Sequence, residues 1–293
     1  MTRLGEEDVF VANAGELCEG PCWDLGAGRL IWVDIMAGRV HSADPLTGDR
    51  RSWDLGMPVG CVAPCMSGGW IAAVELGFAR YDENWSMLDT VVPAPGQAVG
   101  TRFNDGRCDT AGRFWAGTLA YDSTPGAASL YRLDVSGEVT LVLDDVTISN
   151  GLGWSPQSDT MYYVDTGRGT VDRMRFDAGT GTPSDRTTLV SVPPAEGAPD
   201  GLAVDSEGFL WVALWDGGCV RRYSPDGELE RTVRLPVSRV TSMAFGGRDL
   251  ADLFITTACD GLGPRRLADE PLAGSVFRYR PGVTGLPTNP FKG

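Results

Sequence analysis

The same unit, 40 to 49 residues long, recurs six times along this 293-residue chain, and that recurrence restricts the fold more than any other property of the sequence. Each unit reads as a polar residue, an apolar run, a Gly/Asp turn, an aromatic-rich strand and a Gly turn into another strand. Clear copies open at Glu19, Asn104, Asn150 and Asp200, and weaker ones begin near Cys61 and Thr241. The residues that open the second strand (Leu30, Trp70, Phe114, Met161, Leu210 and Leu253) are spaced by 40, 44, 47, 49 and 43 residues. That is the period of a four-stranded propeller blade. Segments such as Ile31-Trp32-Val33-Asp34 and Leu210-Trp211-Val212-Ala213 alternate with period two between turns, which is strand grammar. No stretch sustains a helical period with a cap, so almost no helix is expected.

A lone four-stranded unit cannot bury both of its faces, whereas six stacked around an axis do so and leave only short edges. The expectation is an all-β chain: one domain over 1–293, a six-bladed β-propeller. Val9-Phe10-Val11 precedes the first full unit and is therefore expected to supply the outer strand of the last blade, beside Ser275–Tyr279. Trp32, Trp115, Trp154 and Trp211 read as packing between blades. The Asp260–Gly274 stretch reads as a surface excursion within the last blade.

Propeller geometry turns the repeat into a site. The first strand of each blade lies nearest the axis, so residues at its start crowd one mouth of the channel. Glu19, Asn104, Asn150 and Asp200 hold that position in four units. An Asn-Gly or Asp-Gly pair taken alone is a turn signal, but four in register, each opening an apolar strand, call for a shared hard cation or a polar substrate. The glycines that follow (Gly20, Gly106, Gly151 and Gly201) would let neighbouring backbones approach closely. Asp105 is assigned to turn or blade hydrogen bonding.

Composition removes other functions. A net charge of −14 with no basic patch argues against nucleic-acid and anionic-membrane partners. No run of 18 apolar residues occurs, and the polar start of the chain reads as that of a cytoplasmic protein. Seven cysteines fit a reducing compartment. The Cys18/Cys22 and Cys61/Cys65 pairs have looser spacing than structural zinc sites use, and small core residues are the simpler reading. The single histidine, His41, falls where a third strand should begin, so triad and histidine-rich metal chemistry are discounted. Oxygen ligands on a divalent ion remain.

The strings ELCEGPCWD, RFNDGRCDTAGRFWAGT, ISNGLGWS, PDGLAVDSEGFLWVALW and FGGRDLADLFITTA together resemble the senescence-marker protein, gluconolactonase and regucalcin family of six-bladed propellers over nearly the whole length. The resemblance implies one divalent ion held by Glu19, Asn150 and Asp200, with Asn104 completing or bordering the shell. Calcium, zinc, manganese, magnesium and ferrous iron all suit such ligands. It also implies that Arg102 orients substrate and that the reaction is hydrolysis of a sugar lactone. Where mammalian members carry acidic residues against the sugar, this chain has Leu119-Ala120-Tyr121-Asp122, leaving Asp122 as a candidate contact.

The chemistry has its own logic: a divalent ion polarises the lactone carbonyl and acidifies water, while Asp200 combines ligand position with basicity. Tyr121 and Trp215 could wall the sugar's C–H faces. Two other readings share the fold: a phosphotriesterase or arylesterase with an apolar pocket, and a non-catalytic calcium-binding protein.

Overall fold

The computed structural model describes residues 2–89 and 91–293. Six sheets ring a common axis, each running outward from an innermost strand in antiparallel chain order, save for the outermost strands that the N-terminal segment adds to the last two. The innermost strands are Cys18–Asp24, Val59–Pro64, Thr101–Cys108, Ser149–Trp154, Ala198–Val204 and Val240–Gly246. The second strands begin at Arg29, Trp70, Phe114, Thr160, Leu210 and Asp252, within one residue of the six spacing anchors. The repeat period is therefore the blade period, and the six-bladed β-propeller is the observed fold.

The two ends of the chain are fastened to the ring. Val9–Val11 pairs antiparallel with Val276–Tyr279 and becomes the outer strand of the sixth blade. Ahead of it, Thr2–Arg3 runs parallel to Leu229–Arg234 as a fifth strand on the fifth blade, which the repeat pattern did not foreshadow. At the other terminus, Gly285 bridges to Asp205, and Phe291 bridges to Cys65. The closing segment thus crosses from the fifth blade to the second, under the face opposite the starts of the inner strands.

Packing between blades supplies the core. Trp32 sits with Phe254 and Val276, joining the first and sixth blades. Trp115 and Trp154 share a cluster with Tyr163 across the third and fourth. Trp211 packs with Phe245 and Ile255 across the fifth and sixth. Two of these indoles are also fixed by buried carboxylates: Trp115 Nε1 donates to Asp109 at 3.0 Å and Trp211 Nε1 to Asp205 at 2.9 Å.

Helix is confined, among the described residues, to Pro264–Asp269 and three short 3-10 turns. Pro264–Asp269 lies in the expected excursion, with a proline in its first turn, where the missing N–H costs nothing. Arg266 donates to Asp216 and Ser238, and Glu270 accepts from the Ser238 backbone, so the excursion is tied down between the fifth and sixth blades. No described helix is long and apolar enough to cross a membrane. All seven cysteines are free, and burial raises the Cys18, Cys22, Cys61 and Cys108 thiols, as small core residues would be.

Candidate metal centre

All six innermost strands slip register against their neighbour near the start of the strand. The slips fall between Glu19 and Cys22, Val59 and Cys61, Phe103 and Gly106, Ser149 and Leu152, Pro199 and Leu202, and Val240 and Ser242. A bulge re-aims a side chain that the regular pleat would bury in the blade. In four blades an amide or carboxylate residue stands at the slip, whereas in the second it is Gly60, which has no side chain to aim. Glu19, Asn104, Asn150 and Asp200 all sit at these slips, each about 5% exposed or less. Neighbouring inner strands press together just behind them. A Cβ on Gly151 would lie 2.3 Å from the Leu202 nitrogen, and one on Gly201 2.2 Å from Ser242 Oγ.

The ring is braced from behind. Asp34 ends the second strand of the first blade, and its carboxylate accepts from the Glu16 and Leu17 backbone N–H groups at 2.9 and 3.2 Å. Asp165 holds the same place in the fourth blade and accepts from Thr147, Ile148 and Gly167. Charge-assisted bonds of this kind fix the loops that lead into Glu19 and Asn150. The Asn150 amide nitrogen donates to Thr166 Oγ1 at 3.0 Å, and Thr166 in turn donates to the Pro199 carbonyl at 2.7 Å, so Asn150 is oriented against the strand that carries Asp200. Thr166 was not anticipated from the repeat, although it directly follows Asp165, the counterpart of Asp34 in the fourth blade.

What remains on the axis is an uncompensated set of oxygens. Asn150 Oδ1 and Asp200 Oδ1 are buried and have no hydrogen-bond partner. Burial holds the Asp200 carboxyl well above the ordinary range, and Asp105 pushes it further; the Asn150 amide, Arg102 and the Gly201 N–H pull the other way. Glu19 is raised first by burial, then by the charges of Asp200 and Asp105. Buried carboxylates that repel one another, beside an unpartnered amide oxygen, fit a hard divalent cation, which would relieve both defects at once. No group of three or more His, Cys, Asp or Glu side chains is placed to hold a metal among the described residues. The axial set has two such carboxylates and draws its further oxygen from an amide.

Asn104 is engaged at both ends of its amide. Its Oδ1 accepts from Arg102 Nη1 at 2.9 Å, and its Nδ2 donates to the Ser149 carbonyl at 2.9 Å. In this arrangement it holds Arg102 in place and keeps one lone pair of Oδ1 beside the axial set. Arg102 Nη1 also donates to the Phe103 carbonyl, while Nε is buried without a partner. Asp105 accepts from the Gly106 N–H, the local turn bond expected of it, yet it also burdens both Glu19 and Asp200 with its charge. Beyond it, the axis encloses a cavity of about 260 Å³, lined by Asp105, Arg107, Trp154 and Phe245 and floored by Leu286–Asn289 of the closing segment.

The remaining candidates lie around the mouth. Tyr121, about 46% exposed, donates to Glu75 Oε1 at 2.7 Å. Asp122 spends Oδ1 on the backbone and hydroxyl of Thr124, closing its own exposed turn, and is not part of the axial set. Trp215, at the top of the fifth blade, lies under the guanidinium of Arg239, 4.6 Å from its ring centre. His41 stacks on Trp32 within the first blade, away from the axis.

Comparison with known proteins finds relatives over nearly the whole chain. The family model for the SMP-30/gluconolactonase/LRE-like region matches residues 17–259. A regucalcin from Danio rerio is 38% identical over 291 residues, covering 98% of each chain. A 6-deoxy-6-sulfogluconolactonase from Pseudomonas putida is 38% identical over 284 residues, covering 97% of each. Among solved structures, a calcium-binding regucalcin from Agrobacterium tumefaciens superposes with a TM-score of 0.92 at 27% identity, over 100% of this chain and 99% of that one.

Proposed function

The chain belongs to the SMP-30/gluconolactonase/LRE-like family, and on that premise we propose that it is a divalent-metal-dependent hydrolase that opens sugar lactones to aldonic acids in cytoplasmic sugar catabolism. The observation that carries this reading is the pair of buried, unpartnered oxygens, Asn150 Oδ1 and Asp200 Oδ1, set beside Glu19 on the axis. The name of the Pseudomonas putida relative supports lactone hydrolysis. The calcium-binding Agrobacterium tumefaciens structure supports cation binding.

Glu19, Asn150 and Asp200 would hold the ion. Bound there, it supplies Lewis acidity toward a carbonyl oxygen and lowers the pKa of nearby water. The chain's own groups do the rest. Asp200 accepts the proton of the attacking water and returns it to the ring oxygen as the ester C–O bond breaks, so the proton is conserved through the cycle. Asn104 aims Arg102, whose guanidinium would donate to a substrate hydroxyl or to the developing negative charge. Trp215 offers an apolar face for sugar C–H groups.

The test is lactone hydrolysis on a panel of five- and six-carbon aldono-lactones, with chelated enzyme and with calcium, zinc, manganese, magnesium or ferrous iron restored. Ion-dependent turnover that falls by about 10²–10⁴-fold in Asp200→Asn, the usual span for loss of a general base, is the expected result. Ion binding with no turnover of any lactone would overturn it.

A further inference from the structure

Asp122, the candidate acidic contact just after the third blade's second strand, spends Oδ1 on its own exposed turn. The fold brings a carboxylate to the same rim from a different blade. Glu75 directly follows the second strand of the second blade, Trp70–Val74, so it stands at the end of the sheet where the axial residues lie. Its backbone is fixed on both sides: its N–H donates to the Pro58 carbonyl at 2.9 Å, and its carbonyl accepts from Gln97 Nε2 at 2.9 Å. Tyr121 reaches across from the third blade and donates to Oε1. Among the described residues nothing donates to Oε2 of this half-buried side chain.

Tyr121 also ties this carboxylate to Arg102. The Tyr121 backbone N–H donates to the Gly100 carbonyl, and Ala120 pairs with Thr101, so Tyr121 stands beside the strand that delivers Arg102. Arg102 commits only Nη1 to protein acceptors. A guanidinium next to the strand end that carries Tyr121, and a carboxylate held at the rim by that phenol, match the donor and acceptor faces of a hydroxyl-bearing chain. They do not match an anionic group, which the carboxylate would repel.

We propose that Glu75, positioned by Tyr121, accepts a hydrogen bond from an outer hydroxyl of the lactone and selects neutral polyhydroxylated lactones over those with an anionic tail. This rests on the lactonase reading and specifies its substrate class. The Pseudomonas putida relative acts, by its name, on a sulfonated sugar lactone, so the proposal separates the two specificities.

The experiment measures kcat and KM of ion-loaded wild type, Glu75→Gln and Tyr121→Phe on glucono-1,5-lactone, its 6-deoxy analogue and its 6-phospho analogue. Wild type should favour the neutral hydroxylated lactone over both others by about tenfold or more, the usual worth of a hydrogen bond to a charged group. Glu75→Gln should erase both preferences through KM while keeping kcat on the 6-deoxy lactone, an outcome that damage to the fold cannot produce. Tyr121→Phe should give an intermediate loss. If Glu75→Gln keeps both preferences while lactones are still opened, the proposal is wrong and the lactonase reading stands. If no lactone is opened, that reading falls, and calorimetric titration with gluconate and 6-phosphogluconate decides the selectivity alone. Equal discrimination by wild type and Glu75→Gln would then overturn it.

Discussion

Glu19 and Asp200 are buried carboxylates whose charges oppose each other, and this gives the ion-free protein a definite response to pH. Both groups titrate above the ordinary carboxylate range when folded. The folded state therefore holds protons that the unfolded chain releases. The associated stability is complete below the unfolded values near about pH 4 and is lost as pH rises through the raised folded ones. In chelator, Glu19→Gln should melt above wild type at about pH 8, with the gap narrowing toward pH 4. A gap independent of pH would rule out charge repulsion as its cause. On the proposed ligand set, restoring the ion should reverse the order, because the variant would lose a ligand. The repeat register made Glu19, Asn150 and Asp200 legible, since each opens a clear copy of the unit. Glu75 was hidden: it lies in the weak second copy, and the tyrosine that holds it is 46 residues further on, in another blade. Period-two alternation reports which face a residue takes and says nothing of partners across a blade boundary.

The element that builds the site is the bulged inner strand, and its glycines carry the strain of six strands converging. Gly151→Ala and Gly201→Ala would each drive a methyl into the next inner strand, where the Leu202 nitrogen and Ser242 already lie within 2.3 Å. Overpacking of this sort costs about 1–3 kcal/mol, and more where backbone must move. Denaturant midpoints should fall accordingly, while Gly26→Ala in an exposed turn should stay within about 0.5 kcal/mol of wild type. The close approach was legible as a glycine after each axial residue. The slips themselves were not, because a bulge shifts hydrogen-bond register without altering the apolar pattern over so short a strand. Asp34 and Asp165 close equivalent strands of the first and fourth blades, but their work, holding the backbone that leads into Glu19 and Asn150, required the fold.

At the scale of the whole molecule, closure depends on both termini. Removing residues 1–12 takes Val9–Val11 from the sixth blade and Thr2–Arg3 from the fifth, exposing two strand edges. Calorimetry of the truncated chain should show a lower, broader transition and a tendency to aggregate. Phe291→Ala, at a ring only 2% exposed beneath the second and third blades, should cost about 3–5 kcal/mol yet leave ion affinity at the opposite mouth unchanged. A shifted ion affinity would show that the lower segment and the axial centre are coupled. The Val9–Val11 pairing with Val276–Tyr279 also sets a timetable for biosynthesis. The first blade leaves the ribosome with its site glutamate in place, but no ring exists until almost the last strand has emerged. Throughout elongation the nascent chain carries an unmated blade face at its growing end and a waiting strand at its beginning. Chaperone capture during translation, ending abruptly on release, is the cellular behaviour that such late closure demands.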